Sequence, residues 1–206
     1  MKKIIYLITI ILIIVIGIVI CFTYKNPTKN VVKNNNNIID NNNKVQSKKI
    51  LVVYYSAQNH TKNIATKIAN NLNADIFEIV PKEIYTSDDL NWSDNNSRVS
   101  REHNNESLRN VELSSTTVEN FENYDTVLIG YPIWWGIAAW PVNTFVKAND
   151  FSNKIVIPFC TSSSSGIGQS GELLKKDANG GDWKSGYRFS SNASDSDIKE
   201  FTDSIK

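Results

Sequence analysis

Three short runs carry the residue types most able to do chemistry. In Ser56-Ala57-Gln58-Asn59-His60-Thr61, hydroxyl and amide side chains stand just before a helical pattern. Beside the free N–H groups of a helix N-terminus they make an anion site, or Asn59 or Thr61 is simply an N-cap. The run has neither the lysine of a P-loop nor a GxGxxG fingerprint, so dipoles and hydrogen bonds would have to neutralise the anion. In Tyr131-Pro132-Ile133-Trp134-Trp135-Gly136, two adjacent tryptophans sit in a Pro/Gly-bounded segment. Neighbouring side chains point in different directions, so core packing explains one indole more easily than both. A flat aromatic ligand stacked on an indole face would explain the pair. In Thr161-Ser162-Ser163-Ser164-Ser165-Gly166-Ile167-Gly168, small hydroxyl residues and glycines allow close backbone approach to a polar ring edge, or form a linker.

Other reactive residue types are sparse. Cys160 follows Ile155-Val156-Ile157-Pro158-Phe159 and reads as a buried strand-end thiol rather than a nucleophile. Cys21 lies in an apolar run far upstream, so no internal disulfide or metal-ligand spacing results. His60 and His103 are too few for a histidine-rich metal site. No residue stands out as a catalytic acid or base.

The elements that position the three runs follow from hydrophobic periodicity. Lys49–Tyr55 is a continuous apolar and β-branched run, the pattern of a strand buried on both faces of a parallel sheet. From Thr61 to Leu72, the residues Ile64, Ala65, Ile68, Ala69 and Leu72 share one helical face. Ala74–Val80, Asp125–Tyr131 and Lys154–Cys160 read as further strands, with a short one near Tyr187–Phe189. Helices are predicted from Pro141 through Val146, over Ser170–Asp177 and over Ser194–Ile205. The polar stretch from Pro81 to Val118 suggests a short helix near Glu102–Arg109. Alternating strands and helices imply a doubly wound α/β domain with a five-stranded parallel sheet. In such sheets ligands bind beyond the carboxyl ends of the strands. All three runs fall there.

The segment before this domain is of a different kind. Ile4–Tyr24 is 21 consecutive uncharged residues, mostly Ile, Leu and Val, bracketed by Lys2, Lys3 and Lys25. As a helix rising about 1.5 Å per residue it spans about 30 Å, a bilayer core. It lacks the small residues of a signal-peptide cleavage site. Residues 1–25 are therefore expected to be a single-pass anchor, and the Asn-rich 26–47 a disordered spacer. A short charged N-terminus ahead of a long apolar helix favours a cytoplasmic N-terminus and a domain outside the cell membrane. Net charge is +1 overall. Six of the 22 basic and one of the 21 acidic residues precede Lys48, leaving 16 against 20 and a domain at −4. Nucleic acid is not expected as a partner of such a mildly acidic domain.

Taken in order on the first, third and fourth strands, the three runs resemble the flavodoxin-like family, in its branch with a YPIWWG loop and a TSG-type third loop. The similarity covers about residues 49–206. It implies the strand order 2-1-3-4-5 and FMN as cofactor. It further implies that Ser56, Gln58, Asn59, His60 and Thr61 bind the FMN phosphate. Trp134 and Trp135 would flank the isoalloxazine, with the backbone of Pro132, Ile133 and Gly136 at its polar edge. Thr161, Ser162, Ser163 and Gly166 would close the other side. Asp89-Leu90-Asn91-Trp92 with Ser97, Arg98 and Glu102 also resembles this branch and is expected at the pocket mouth. Two departures stand out. Gln58 and Asn59 replace the family's frequent Thr and Gly, and Asn tolerates the left-handed turn best among non-glycine residues. Ser163 and Ser164 stand where glycines are frequent.

Three functions fit. One is an electron carrier or small FMN oxidoreductase tethered to the membrane, working with a redox partner protein or a small acceptor. Another is a nicotinamide-dependent FMN reductase of quinones or small acceptors, with 81–118 building its substrate pocket. The last is a surface binding module that has lost FMN. The apolar run generates its own prediction: the full chain fractionates with membranes and resists high-salt extraction, and release by salt alone would contradict a spanning helix.

Overall fold

In the computed structural model, residues 49–206 are described. The expected anchor (1–25) and spacer (26–47), with Cys21, lie outside them. Among the described residues no helix is long and apolar enough to cross a membrane.

Parallel pairing builds the domain. Strand β1 (Ile50–Tyr54) lies between β2 (Asp75–Glu78) and β3 (Thr126–Trp134), and β3 pairs in turn with β5 (Ile155–Thr161). β6 (Asp182–Trp183) completes the order β2-β1-β3-β5-β6, while β7 (Tyr187–Phe189) also pairs with β5 and β4 (Ile137–Ala138) with β3. Helix α1 (His60–Leu72) follows β1, α2 (Arg98–Asn104) lies in the long polar segment, and α3 (Trp140–Ala148) follows β4. Helix α4 (Ser170–Asp177) follows β5 and α5 (Asp195–Asp203) closes the chain.

Strand periodicity sends alternate side chains to opposite faces. Val52, Tyr54, Leu128 and Phe159 join Ile64, Ala65 and Ile68 of α1 and Ile198 and Phe201 of α5 in one buried cluster. Leu51, Val53, Val127 and Ile129 join Trp140, Val142, Phe145 and Val146 of α3 and Leu174 of α4 in the other. Helices thus cover both faces of the sheet. Ser194 caps α5 in a reciprocal capping box with Asp197, and Pro141 occupies the first turn of α3.

Three features differ from the sequence expectation. The sheet has seven strands, not five, because the outer edge is split between β6 and β7 and β3 turns back as the antiparallel β4. The break falls opposite Pro158, which has no N–H to give the ladder, and a Cβ on Gly186 would come within 2.9 Å of the Pro158 carbonyl oxygen. The helix expected near Glu102–Arg109 begins earlier, at Arg98, with Ser97 accepting from the Ser100 N–H as N-cap. Only a 3₁₀ turn covers Glu106–Arg109. The third strand does not stop at Tyr131; it runs on to Trp134 and turns back as β4, with Ile133 opposite Ala138.

Where β3 passes the cluster that holds Phe159, space for a side chain is missing. A Cβ on Gly130 would lie 2.2 Å from Phe159 Cζ, and Phe159 is fully buried. Gly130→Ala should destabilise the domain by about 1–3 kcal/mol or more through overpacking, and Phe159→Leu should recover part of it. Chemical denaturation of the three variants checks this, and an unchanged midpoint for Gly130→Ala would contradict it.

Candidate functional site

The carboxyl ends of β1, β3 and β5 open into one cleft of about 330 Å³. Ser56, Gln58, His60 and Thr61 line it from the first run, Pro132, Ile133, Trp134 and Trp135 from the second, and Thr161, Ser162 and Ser163 from the third. Asn59, Gly136 and Gly166 do not line it. Asn59 instead has φ 64° and turns the chain into α1, with no capping bond from its side chain. The N-cap reading of Asn59 is therefore right for its position and wrong for its side chain. Gly136 is the second residue of the β3–β4 turn, and Gly166 lies in the open stretch of the third run.

The first run is a set of donors without acceptors. Among the described residues the backbone N–H groups from Ser56 through Lys62 find no acceptor, and the first bond beyond them runs from Asn63 N–H to Asn59 O at 2.9 Å. Ser56 Oγ is buried and also has no partner. An unpaired buried hydroxyl costs on the order of 1–3 kcal/mol, so the gap calls for an occupant. Thr61 Oγ1 lies 2.8 Å from Thr161 Oγ1 in a buried bond that joins the first run to the third.

The second run is a hairpin. Its two central residues, Trp135 (φ 46°) and Gly136 (φ 82°), both have positive φ, as a two-residue I′ turn requires. For a bulky side chain such as Trp135 this backbone is strained. The turn also separates the two indoles. Trp134 is half-buried and meets Tyr85, Trp140 and Tyr55 edge-on, at 5.2, 5.5 and 5.7 Å between ring centroids. Trp135 is 41% exposed, stacks on His103 at 4.3 Å and lies near-parallel to Trp140 at 6.2 Å. With Ile133 and Trp92, the two tryptophans wall a slot of about 250 Å³.

The third run is clamped from behind. Arg188 donates through Nε to Ser162 Oγ at 3.1 Å and through Nη2 to the carbonyls of Ser162 and Ser163 at 2.8 and 3.1 Å. Ser162 N–H donates to Phe189 O at 3.2 Å. Neither Ser163 nor Ser164 needs a left-handed backbone; in this run only Gly168 has positive φ. Cys160, at the end of β5, is fully buried, and burial pushes its thiol up to about 12, with the Arg188 charge pulling weakly the other way. It is a packing residue.

The mouth belongs to the long polar segment. Leu90 and Trp92 line the cleft, and Trp92 is 75% exposed. Asp89, Asn91, Ser97, Arg98 and Glu102 do not reach it; they build the segment. Asp89 accepts from Thr86 N–H at 2.9 Å, and the charge-assisted bonds hold its carboxyl below the usual range. Arg98 Nε donates to the buried Glu102 at 2.8 Å, and Tyr85 O–H donates to the other Glu102 oxygen at 2.6 Å. The Arg98 guanidinium lies 3.9 Å from the Tyr85 ring centre. Burial and the Glu102 bond push the Tyr85 phenol far up, and burial does the same at Tyr55. Sequence reasoning missed Ala57, Val99 and Ser191, which also line the cleft, and Tyr85, which props Trp134. The Arg98/Glu102 pair was readable as an i,i+4 spacing, but only with the helix placed at Arg98.

A parallel sheet wound on both faces, with an acceptor-less helix entry and an aromatic slot at its strand ends, defines an α/β protein of the doubly wound class. The flavodoxin family model matches residues 49–205, and the chain belongs to the flavodoxin family. Two solved proteins assigned as flavoproteins resemble it. One, from Bacteroides uniformis, is 36% identical with a TM-score of 0.70 over 76% of this chain and 98% of its own. The other, from Bacteroides eggerthii, is 39% identical with a TM-score of 0.68 over 76% and 97%. Both are matched over nearly their whole length, and residues 49–206 of this chain fall within one compact unit. A flavoprotein of Lactobacillus acidophilus, solved in complex with FMN, shares the fold at 22% identity, with a TM-score of 0.55 over 76% of this chain and 99% of its own. No curated protein sequence matches the chain.

Proposed function

We propose that the domain binds one FMN in the cleft at the ends of β1, β3 and β5 and serves as an electron-transfer flavoprotein tethered to the cell membrane through its apolar N-terminus. The observation that carries the proposal is the first run, where consecutive backbone N–H groups and the buried Ser56 Oγ have no acceptor among the described residues. A phosphate is the group such a helix entry accepts. Ser56, Gln58, His60 and Thr61 would hold it, with Asn59 setting the turn. Trp134 is the better ring partner of the two tryptophans. Three aromatic neighbours fix it edge-on, whereas Trp135 already has parallel partners in His103 and Trp140. Thr161, Ser162 and Ser163, clamped by Arg188, would close the cleft from β5. Bound FMN supplies the one- and two-electron redox chemistry. The protein's own residues bind it, orient it and exclude water. Exposed Trp92 at the mouth, beside the cleft's aromatic slot, suits contact with a redox partner or small acceptor. The spacer would let an extracytoplasmic domain reach such partners from its anchor.

Titration of residues 49–206 with FMN and with riboflavin, read by flavin fluorescence, tests the proposal. FMN should bind more tightly, and Ser56→Ala should narrow that preference while leaving riboflavin unaffected. Trp134→Ala should weaken FMN binding by about 1–3 kcal/mol, the scale of a lost aromatic contact, raise its midpoint potential, and do both more than Trp135→Ala. Equal affinity for the two flavins would remove the phosphate assignment, and binding of neither would remove FMN.

A further inference from the structure

Among the described residues, three buried side-chain polar atoms have no hydrogen-bond partner: Ser56 Oγ, His103 Nδ1 and Trp140 Nε1. Ser56 belongs to the cleft already described. His103 and Trp140 both line a second and larger cleft of about 690 Å³ on the far side of the Trp135 indole. Native proteins leave few such groups unpaired, and each needs a cause. Two together at one cleft point to a polar ligand, and because the indole N–H can only donate, that ligand must bring an acceptor.

The lining says what kind of ligand. Trp135, Ile137, Trp140 and Leu173 give it an apolar side. Arg109, Lys147 and Lys176 give it cations, against the carboxylates of Glu106 and Asp177. Both carboxylates are engaged. Glu106 pairs with Arg109 Nη1 at 3.1 Å, and Asp177 accepts from Asn143 Nδ2 at 2.7 Å and pairs with Lys147 at 3.5 Å. Lys176 makes no ion pair among the described residues, and three cations against two carboxylates leave the lining one positive charge in excess.

We propose that this second cleft binds a small aromatic carboxylate. Its ring would lie along the apolar side, and its carboxylate would meet the excess positive charge and accept from the Trp140 N–H. An apolar ligand without the acid would leave both the charge and the Trp140 N–H unanswered. Trp135 lines this cleft and the first alike. Occupancy of one cleft is therefore felt in the other, and the coupling is reciprocal. The binding itself does not depend on the FMN assignment.

The test uses the 49–206 domain, 2-naphthoate as probe and its neutral isostere 2-naphthamide. Binding is read from the indole N–H resonances of the five tryptophans in ¹⁵N spectra. Naphthoate should move the Trp140 and Trp135 resonances saturably and bind roughly tenfold tighter than naphthamide. Lys176→Glu, a surface change outside the cofactor cleft, should weaken naphthoate roughly tenfold and leave FMN titration unchanged. Excess FMN should not compete naphthoate away. Equal binding of acid and amide would overturn the proposal. So would saturation weaker than about 1 mM, simple competition with FMN, or shifts confined to Trp92 and Trp134. Failure of FMN to bind shows separately, in the FMN titration alone.

Discussion

Tyr54 of β1, Gly130 of β3 and Phe159 of β5 stand at one level across the sheet, each paired with the next. Parallel pairing in this register ends β1 beside the middle of β3 and makes its exit loop face the end of β5. The buried bond between Thr61 and Thr161 then joins the two loops directly. The constraint is severe, because a slip of one residue in any strand would turn its core side chains to the wrong face. The clusters on the two faces therefore hold the chemistry in place as well as the fold. Gly130 shows how tightly: β3 can pass Phe159 only without a side chain.

Onto that frame the long polar segment is anchored by Tyr85 and Val111, which join the buried cluster of Trp140 and Phe145, and it is braced within itself by charge. Glu102 is buried, and it is tolerable there because Arg98 and Tyr85 answer its two oxygens. Removing either partner would leave a buried carboxylate underpaired. The same Tyr85 ring bears edge-on on Trp134, so the ion pair reaches the aromatic slot through a single side chain. The segment's exposed tip, with Trp92, is left free to face solvent.

Much of this was legible in the residues. The continuous apolar runs of β1, β3 and β5 and the stripe Ile64, Ala65, Ile68, Ala69 give the sheet and its first helix, because burial on both faces leaves little else for them to be. The three runs at strand ends follow from the same reading, and Asn59 does adopt the left-handed turn expected of it. What escaped depends on partners distant in sequence. Pro158 sits inside a strand whose other side it cannot feed, so the edge splits where periodicity shows nothing. The I′ turn at Trp135-Gly136 carries a tryptophan where turn preferences favour Asn or Asp. Tyr85 looks like any tyrosine in a polar stretch until Glu102 and Trp134 are seen on either side of it.

The central claim is that the acceptor-less entry to α1 holds the phosphate of FMN. Phosphorus NMR of the domain saturated with FMN, followed from about pH 5 to pH 8, reads that phosphate directly; free phosphate monoesters titrate near pH 6. Held by the backbone N–H groups and Ser56, the bound phosphate should give a single shifted resonance that stays in place across the range. A resonance that titrates near pH 6 like free FMN would show that the phosphate lies in solvent and that this site was assigned wrongly.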